Sequence, residues 1–227
     1  MKYQVWRIQQ QRISLCGLKQ DSHIPSLMLD YGKARKVMPK LSEKPFTDIQ
    51  GEGFMTLPML FVRYQGCAVK CPIRVECDEQ ESLLFGVGSY YSPRDILDLC
   101  QTEWVCITGG EPLSGIHKQD LSDVVDLLKK NNKKIMVQTS GTLPISFKPD
   151  FLVVSPKSRA KELAIKEGDE IKVVVTENTT DSMLQEYSKL NFKHKYLQPL
   201  FKITEEITRE KILENTAWKL SVQMHKI

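Results

Sequence analysis

The sequence predicts an α/β fold built on a parallel sheet, and three observations predict it. Short apolar runs rich in β-branched residues recur from residue 44 onward, amphipathic segments alternate with them, and polar residues gather where the runs end. Strands that are apolar on both faces and separated by helices pair in parallel through right-handed crossovers. In such folds the chemistry sits at the C-terminal ends of the strands.

Residues 1–43 stand apart as a polar, Lys/Gln-rich N-terminal extension with one apolar patch, Ile24 to Leu29, and residues 44–227 form the main domain. Within that domain MLFVRY (59–64), WVCIT (104–108), KIMVQT (134–139), FLVVS (151–155), IKVVVT (171–176), KYLQP (195–199) and WKLSVQ (218–223) read as strands. Residues 119–131 read as a helix, with Leu121, Val124, Val125 and Leu128 on one face. Residues 181–190 and 204–215 are weaker versions of that pattern. The second opens on Thr204 followed by Glu205 and Glu206, a cap with acidic residues at the positive end of the helix dipole.

The chain has 227 residues, enough for one sizeable α/β domain. A formal net charge of +4 is too small to demand nucleic acid as a partner. Neither a membrane-length apolar stretch nor the apolar core of a signal peptide occurs, so the expected location is cytoplasmic. The 6 Cys then read as thiols or metal ligands before disulfides.

Three of them, Cys67, Cys71 and Cys77, form a C-x3-C-x5-C cluster directly after the first strand. Thiolates are soft ligands for zinc or iron–sulfur clusters. Three thiolates on a four-iron cube leave one iron open to a reacting ligand, whereas a structural zinc site takes four closed ligands. Spacing alone also leaves open a zinc site completed by a His or by Cys16. Cys106 alternates within a strand and reads as a small core residue.

Other polar groups collect near the strand ends. Thr108-Gly109-Gly110-Glu111-Pro112 follows the second strand, where glycines let backbone approach a ligand and a carboxylate can accept from an ammonium group. Ile49-Gln50-Gly51-Glu52-Gly53 precedes the first strand and offers donors and acceptors suited to a heterocycle's edge. Arg63 presents a fork for a carboxylate, or else a surface ion pair. Ser140, Ser155-Pro156-Lys157, Gln198-Pro199 and His225 complete the set.

With these motifs in order, the sequence resembles the 7-carboxy-7-deazaguanine synthases, radical S-adenosylmethionine enzymes. The resemblance runs from PFTDIQGEG (45–53) through LFVRYQGCAVKC (60–71), TGGEPL (108–113), QTSGTLP (138–144), VVSPK (153–157), IKVVV (171–175) and YLQPL (196–200) to LSVQMHK (220–226). It implies a partial (β/α), TIM-like barrel of the radical SAM type, a homodimer and a reducing, flavodoxin-like electron donor. The implied reaction converts 6-carboxy-5,6,7,8-tetrahydropterin to 7-carboxy-7-deazaguanine with loss of ammonia. The implied cofactors are a 4Fe-4S cluster, S-adenosylmethionine and Mg²⁺. Carried over by match, Cys67, Cys71 and Cys77 hold the cluster. Ile49, Gln50, Gly51, Glu52, Arg63, Thr108 and His225 contact the pterin, Arg63 at its carboxylate. Gly110, Ser140, Ser155, Pro156, Lys157, Gln198 and Pro199 hold S-adenosylmethionine.

Three positions depart from the family pattern. The last cysteine gap is five residues instead of two, Glu76 stands where an aromatic residue is common, and Glu79 replaces the threonine that binds Mg²⁺. Glu79 is a hard oxygen donor and is the candidate replacement ligand. Two other readings compete: another radical S-adenosylmethionine enzyme of the activase type, and a zinc-binding or cluster-free binding protein on the same fold.

Overall fold

The computed structural model describes residues 38–200 and 202–223. Two short strands come first, β1 (Lys40–Leu41) and β2 (Phe46–Ile49), followed by β3 (Pro58–Tyr64). The chain continues through α1 (Gln80–Leu83), β4 (Ser89–Tyr90), α2 (Pro93–Leu99) and β5 (Trp104–Gly109). Then come α3 (Lys118–Lys130), β6 (Lys134–Thr139), β7 (Phe151–Val154) and β8 (Glu167–Val175). Last are α4 (Asp181–Ser188), β9 (Asn191–Pro199), α5 (Glu205–Glu214) and β10 (Lys219–Leu220).

The seven strands read from the sequence all form. They lie side by side in chain order, β3-β5-β6-β7-β8-β9-β10, with every neighbouring pair parallel. This is the α/β, partial-barrel arrangement expected. Beyond β3 the sheet gains β1 and then β4, and β2 also pairs with β3. All three pairings are antiparallel. Lys40–Leu41 therefore enters the sheet from inside the segment that the sequence set apart.

The strand–helix alternation is incomplete. Residues 140–150 join β6 to β7 without a helix, and between β7 and β8 only a three-residue 3-10 turn forms, Ala160–Glu162. Gly141 and Pro144 punctuate the first of these short connections, which leaves no room for a helical crossover. By contrast α2 forms where no periodicity predicts it. Its start is fixed by a capping box, with Ser92 accepting from the Asp95 N–H and the Asp95 carboxylate accepting from the Ser92 N–H, and by Pro93 in the first turn.

The pleat of these strands sorts residues between two environments. Leu60, Val62, Val105, Ile107, Ile135, Val137, Leu152, Val154, Ile171 and Val173 point outward into one large core, shared with Leu121, Val124, Val125 and Leu128 of α3. Alternate positions point inward. Met59, Phe61, Cys106, Met136, Phe151 and Val153 form a second, smaller apolar cluster. The next inward positions along the same strands are Arg63, Thr108, Gln138 and Ser155, and all four line a cavity. The interior thus changes from an apolar floor to a polar mouth as the strands run toward their C-terminal ends.

Candidate active site

The cavity at this mouth has a volume of about 470 Å³, within the range of small-molecule sites. Its lining brings together Cys67, Cys71 and Cys77 with Ile49, Gln50, Glu52, Arg63, Glu79, Thr108, Gly110, Ser140, Ser155, Lys157, Gln198 and Pro199. Gly51 and Pro156 lie between lining residues without lining it themselves. His225 and Cys16 fall outside the described residues.

The cysteine loop leaves β3 and folds against the turn after β5. Gly110 makes this contact possible. A Cβ there would sit 2.3 Å from the Gly66 carbonyl oxygen and 2.6 Å from that of Ser82. Across the contact the Glu111 N–H donates to Gly66 O (3.1 Å) and the Gly66 N–H to Ser82 O (2.8 Å). The long gap between Cys71 and Cys77 is closed by two side chains. Gln80 Nε2 lies 3.0, 2.9 and 3.0 Å from the carbonyl oxygens of Arg74, Val75 and Cys77. Arg74 donates to the Cys67 carbonyl at 3.2 Å.

None of the three thiols is in a disulfide. Burial pushes the Cys67 thiol up and takes Cys77 to about 11, Asp78's charge adding to the latter. Burial also pulls the Lys157 ammonium down, although the neighbouring Cys71 opposes that shift. Lys157 donates to Ser155 Oγ (2.7 Å) and to the Ser155 carbonyl (3.1 Å). Cys106 lies in the apolar floor, where burial carries its thiol to about 12. Among the described residues no three His, Cys, Asp or Glu side chains converge on a single-ion site.

Glu111 is buried and is consumed in holding strand ends together. Its carboxylate accepts from Thr139 Oγ1 (2.7 Å), the Ser140 N–H (2.9 Å) and the Leu113 N–H (3.1 Å), and also from the Ser140 hydroxyl. Ser140, expected to reach a cofactor, thus spends its hydroxyl and N–H on Glu111. Arg63 makes the ion pair that the sequence left open as the alternative to a substrate fork. Its Nε lies 2.9 Å from Glu43, and its Nη1 pairs with Glu79, above the rings of Phe46 and Phe61. The fork expected for a substrate carboxylate and the carboxylate expected for Mg²⁺ therefore neutralise one another. At low dielectric, opposite charges left unpaired find each other.

The sequence marked Gln223 as a strand-end polar residue but did not reveal that it, Lys172 and Ser221 hold the Gln50–Phe54 loop. Lys172 of β8 pairs with Glu52, and both side chains are nearly buried. The Gln223 amide donates to Glu52 (3.0 Å) and to Asp78 (2.9 Å), which links that loop to the cysteine loop. The Gly53 N–H donates to Ser221 Oγ (3.1 Å), and Ser221 donates to Gln198 Oε1 (3.1 Å). A lysine inside an apolar strand run was the available signal.

No family model matches the chain. A 7-carboxy-7-deazaguanine synthase from Bacteroides thetaiotaomicron is 32% identical over 195 residues, which cover 84% of this chain and 98% of the relative. The chain belongs to the 7-carboxy-7-deazaguanine synthase family. A synthase of the same name from Buchnera aphidicola is 30% identical over 212 residues, 80% of this chain and 94% of its own. Among solved structures, the crystal structure of QueE from Escherichia coli superposes with a TM-score of 0.65 at 28% identity, over 82% of this chain and 94% of that one. The synthase family's partial-barrel fold and the parallel strand order found here agree. No helix among the described residues is long and apolar enough to cross a membrane.

Proposed function

We propose that this chain is a 7-carboxy-7-deazaguanine synthase, a radical S-adenosylmethionine lyase that contracts 6-carboxy-5,6,7,8-tetrahydropterin with loss of ammonia. The observation that carries the reading is the cavity. One 470 Å³ space is lined by three free thiols and by residues of every motif carried over from the family among the described residues.

The donors fit a 4Fe-4S cluster: three soft thiols, no disulfide, and a shared cavity wall. Cys67, Cys71 and Cys77 would hold it, and the raised pKa values of Cys67 and Cys77 mean that binding releases protons. When bound, the cluster and S-adenosylmethionine supply an oxidising carbon radical; the protein supplies position and electrostatics. Gly110 brings backbone to the cavity wall, and the Lys157 ammonium, directed by Ser155, offers a donor to a carboxylate. Glu52, its charge held by Lys172, can accept from the N–H groups of a pterin ring. Arg63 would exchange Glu79 for the pterin carboxylate. Glu79, released, would become the hard oxygen ligand for Mg²⁺. A homodimer and a flavodoxin-like reductant complete the reading.

Anaerobic reconstitution tests the cofactor half of this reading. It should give a brown protein with about four irons per chain. Colourless protein that carries zinc and excludes iron would overturn it.

A further inference from the structure

The inward face of the barrel is apolar at mid-depth on β3, β5, β6 and β7, and β8 breaks the pattern. Val153 of β7 is in register with Glu170, and Lys172 follows two residues later on the same face. Both are buried, Glu170 at 2% and Lys172 at 4% exposure. Burying two charges costs several kcal/mol per ion unless geometry and hydrogen bonds offset it, and well-packed apolar residues of similar volume are often at least as stabilising. The offset is found in one loop. Glu170 accepts from the Phe54 N–H at 2.8 Å, and Lys172 pairs with Glu52. Gly53, with φ of +67°, lies so close that a Cβ would sit 2.1 Å from the Glu170 carboxylate. Gln223 takes the other Glu52 oxygen at 3.0 Å.

We propose that Glu170 and Lys172 are positioning residues that clamp Glu52–Phe54 and so present the Glu52 carboxylate, ionised and aimed, to the substrate ring. This rests on the pterin reading of the cavity. Lys172 acts through Glu52, and Glu170 acts through the backbone of Gly53 and Phe54. Without the clamp a loop containing two glycines, Gly51 and Gly53, would sample many conformations, and the substrate would have to order it on binding. That cost falls on ground-state and transition-state binding alike, so it raises KM more than it lowers kcat.

The test uses the reconstituted full chain as wild type, Lys172→Met, Lys172→Arg and Glu170→Gln. Two readouts are taken: steady-state kinetics with carboxytetrahydropterin, and residue-resolved amide exchange at 52–54. The expected result for Lys172→Met is a KM raised about tenfold with kcat within about threefold, largely recovered in Lys172→Arg. Faster exchange at 52–54 should accompany it, and Glu170→Gln should accelerate Phe54 most. Iron-loaded Lys172→Met with KM within about twofold of wild type and unchanged exchange overturns the proposal. Should Lys172→Met fail to fold, the double variant Lys172→Met/Glu52→Gln, which removes both members of the ion pair together, is measured instead, and a wild-type KM there overturns the proposal. Wild type that makes no product refutes the substrate reading, and the exchange data, which need no turnover, still decide the clamp.

Discussion

Replacing Gly110 by alanine puts a methyl group into the contact between the β5 turn and the cysteine loop. The added carbon would stand 2.3 Å from Gly66 O, and real contacts do not fall below 3.0 Å, so the two backbones must part by roughly 0.7 Å. Neither neighbour can swing away, because Gly66 O and Ser82 O are both main-chain atoms tied into hydrogen bonds. Opening the contact stretches the Glu111 N–H bond to Gly66 O from 3.1 Å to beyond hydrogen-bonding range, at about 1 kcal/mol. Overpacking adds about 1–3 kcal/mol. The expected loss is about 3 kcal/mol of folding stability, read as a lower urea midpoint at unchanged slope. Gly66 adjoins Cys67, so the displacement reaches the first thiol and iron retention after reconstitution should fall as well. A Gly110→Ala protein within about 0.5 kcal/mol of wild type, with full iron, would refute the reasoning.

Further outcomes follow from other contacts. Gln80→Ala frees three carbonyls of the Cys71–Cys77 loop, so the variant should fold normally but lose iron severalfold faster to a chelator, measured by the decay of cluster absorbance. The Glu52–Lys172 pair sets an acid limit on stability. Burial alone would raise the Glu52 carboxyl, but Lys172's charge and hydrogen bonds outweigh it and the net shift is downward from 4.5. A lowered folded pKa gives stability that is present above 4.5 and lost as pH falls toward the folded value. The stability gap between wild type and Glu52→Gln should therefore be flat near neutrality and shrink below 4.5, measured by urea unfolding across pH. Glu79→Gln breaks the pair with Arg63; it should leave iron content unchanged and abolish any dependence of the rate on added Mg²⁺.

The strands, their parallel pairing and the polar residues at their ends were legible in the sequence because they rest on local pattern. Apolar runs such as KIMVQT and FLVVS can hardly be anything but buried strands, and the polar residue after each one falls at the mouth. The thiols were legible because their spacing is short. What was not legible depends on distance or on a competing signal. Lys172 and Glu52 meet across 120 residues, and within IKVVV the lysine reads as a single interruption. Arg63 finds Glu43 and Glu79, which belong to segments without periodicity. The helix at 93–99 is too short for a hydrophobic stripe, yet its Ser92-Pro93-Arg94-Asp95 start is a complete capping box that residue spacing alone could have revealed. The helix-free crossovers around β7 were missed because a strand–helix rhythm elsewhere suggested regularity that Gly141 and Pro144 interrupt.

The central claim is that this cavity turns over a carboxylated tetrahydropterin by cluster-dependent radical chemistry. It is tested most directly by incubating the reconstituted chain anaerobically with 6-carboxytetrahydropterin, S-adenosylmethionine and dithionite, with product mass followed over time and Cys71→Ala as control. Wild type should form 7-carboxy-7-deazaguanine, and Cys71→Ala should form none. Fully clustered wild-type protein that forms no such product would contradict it.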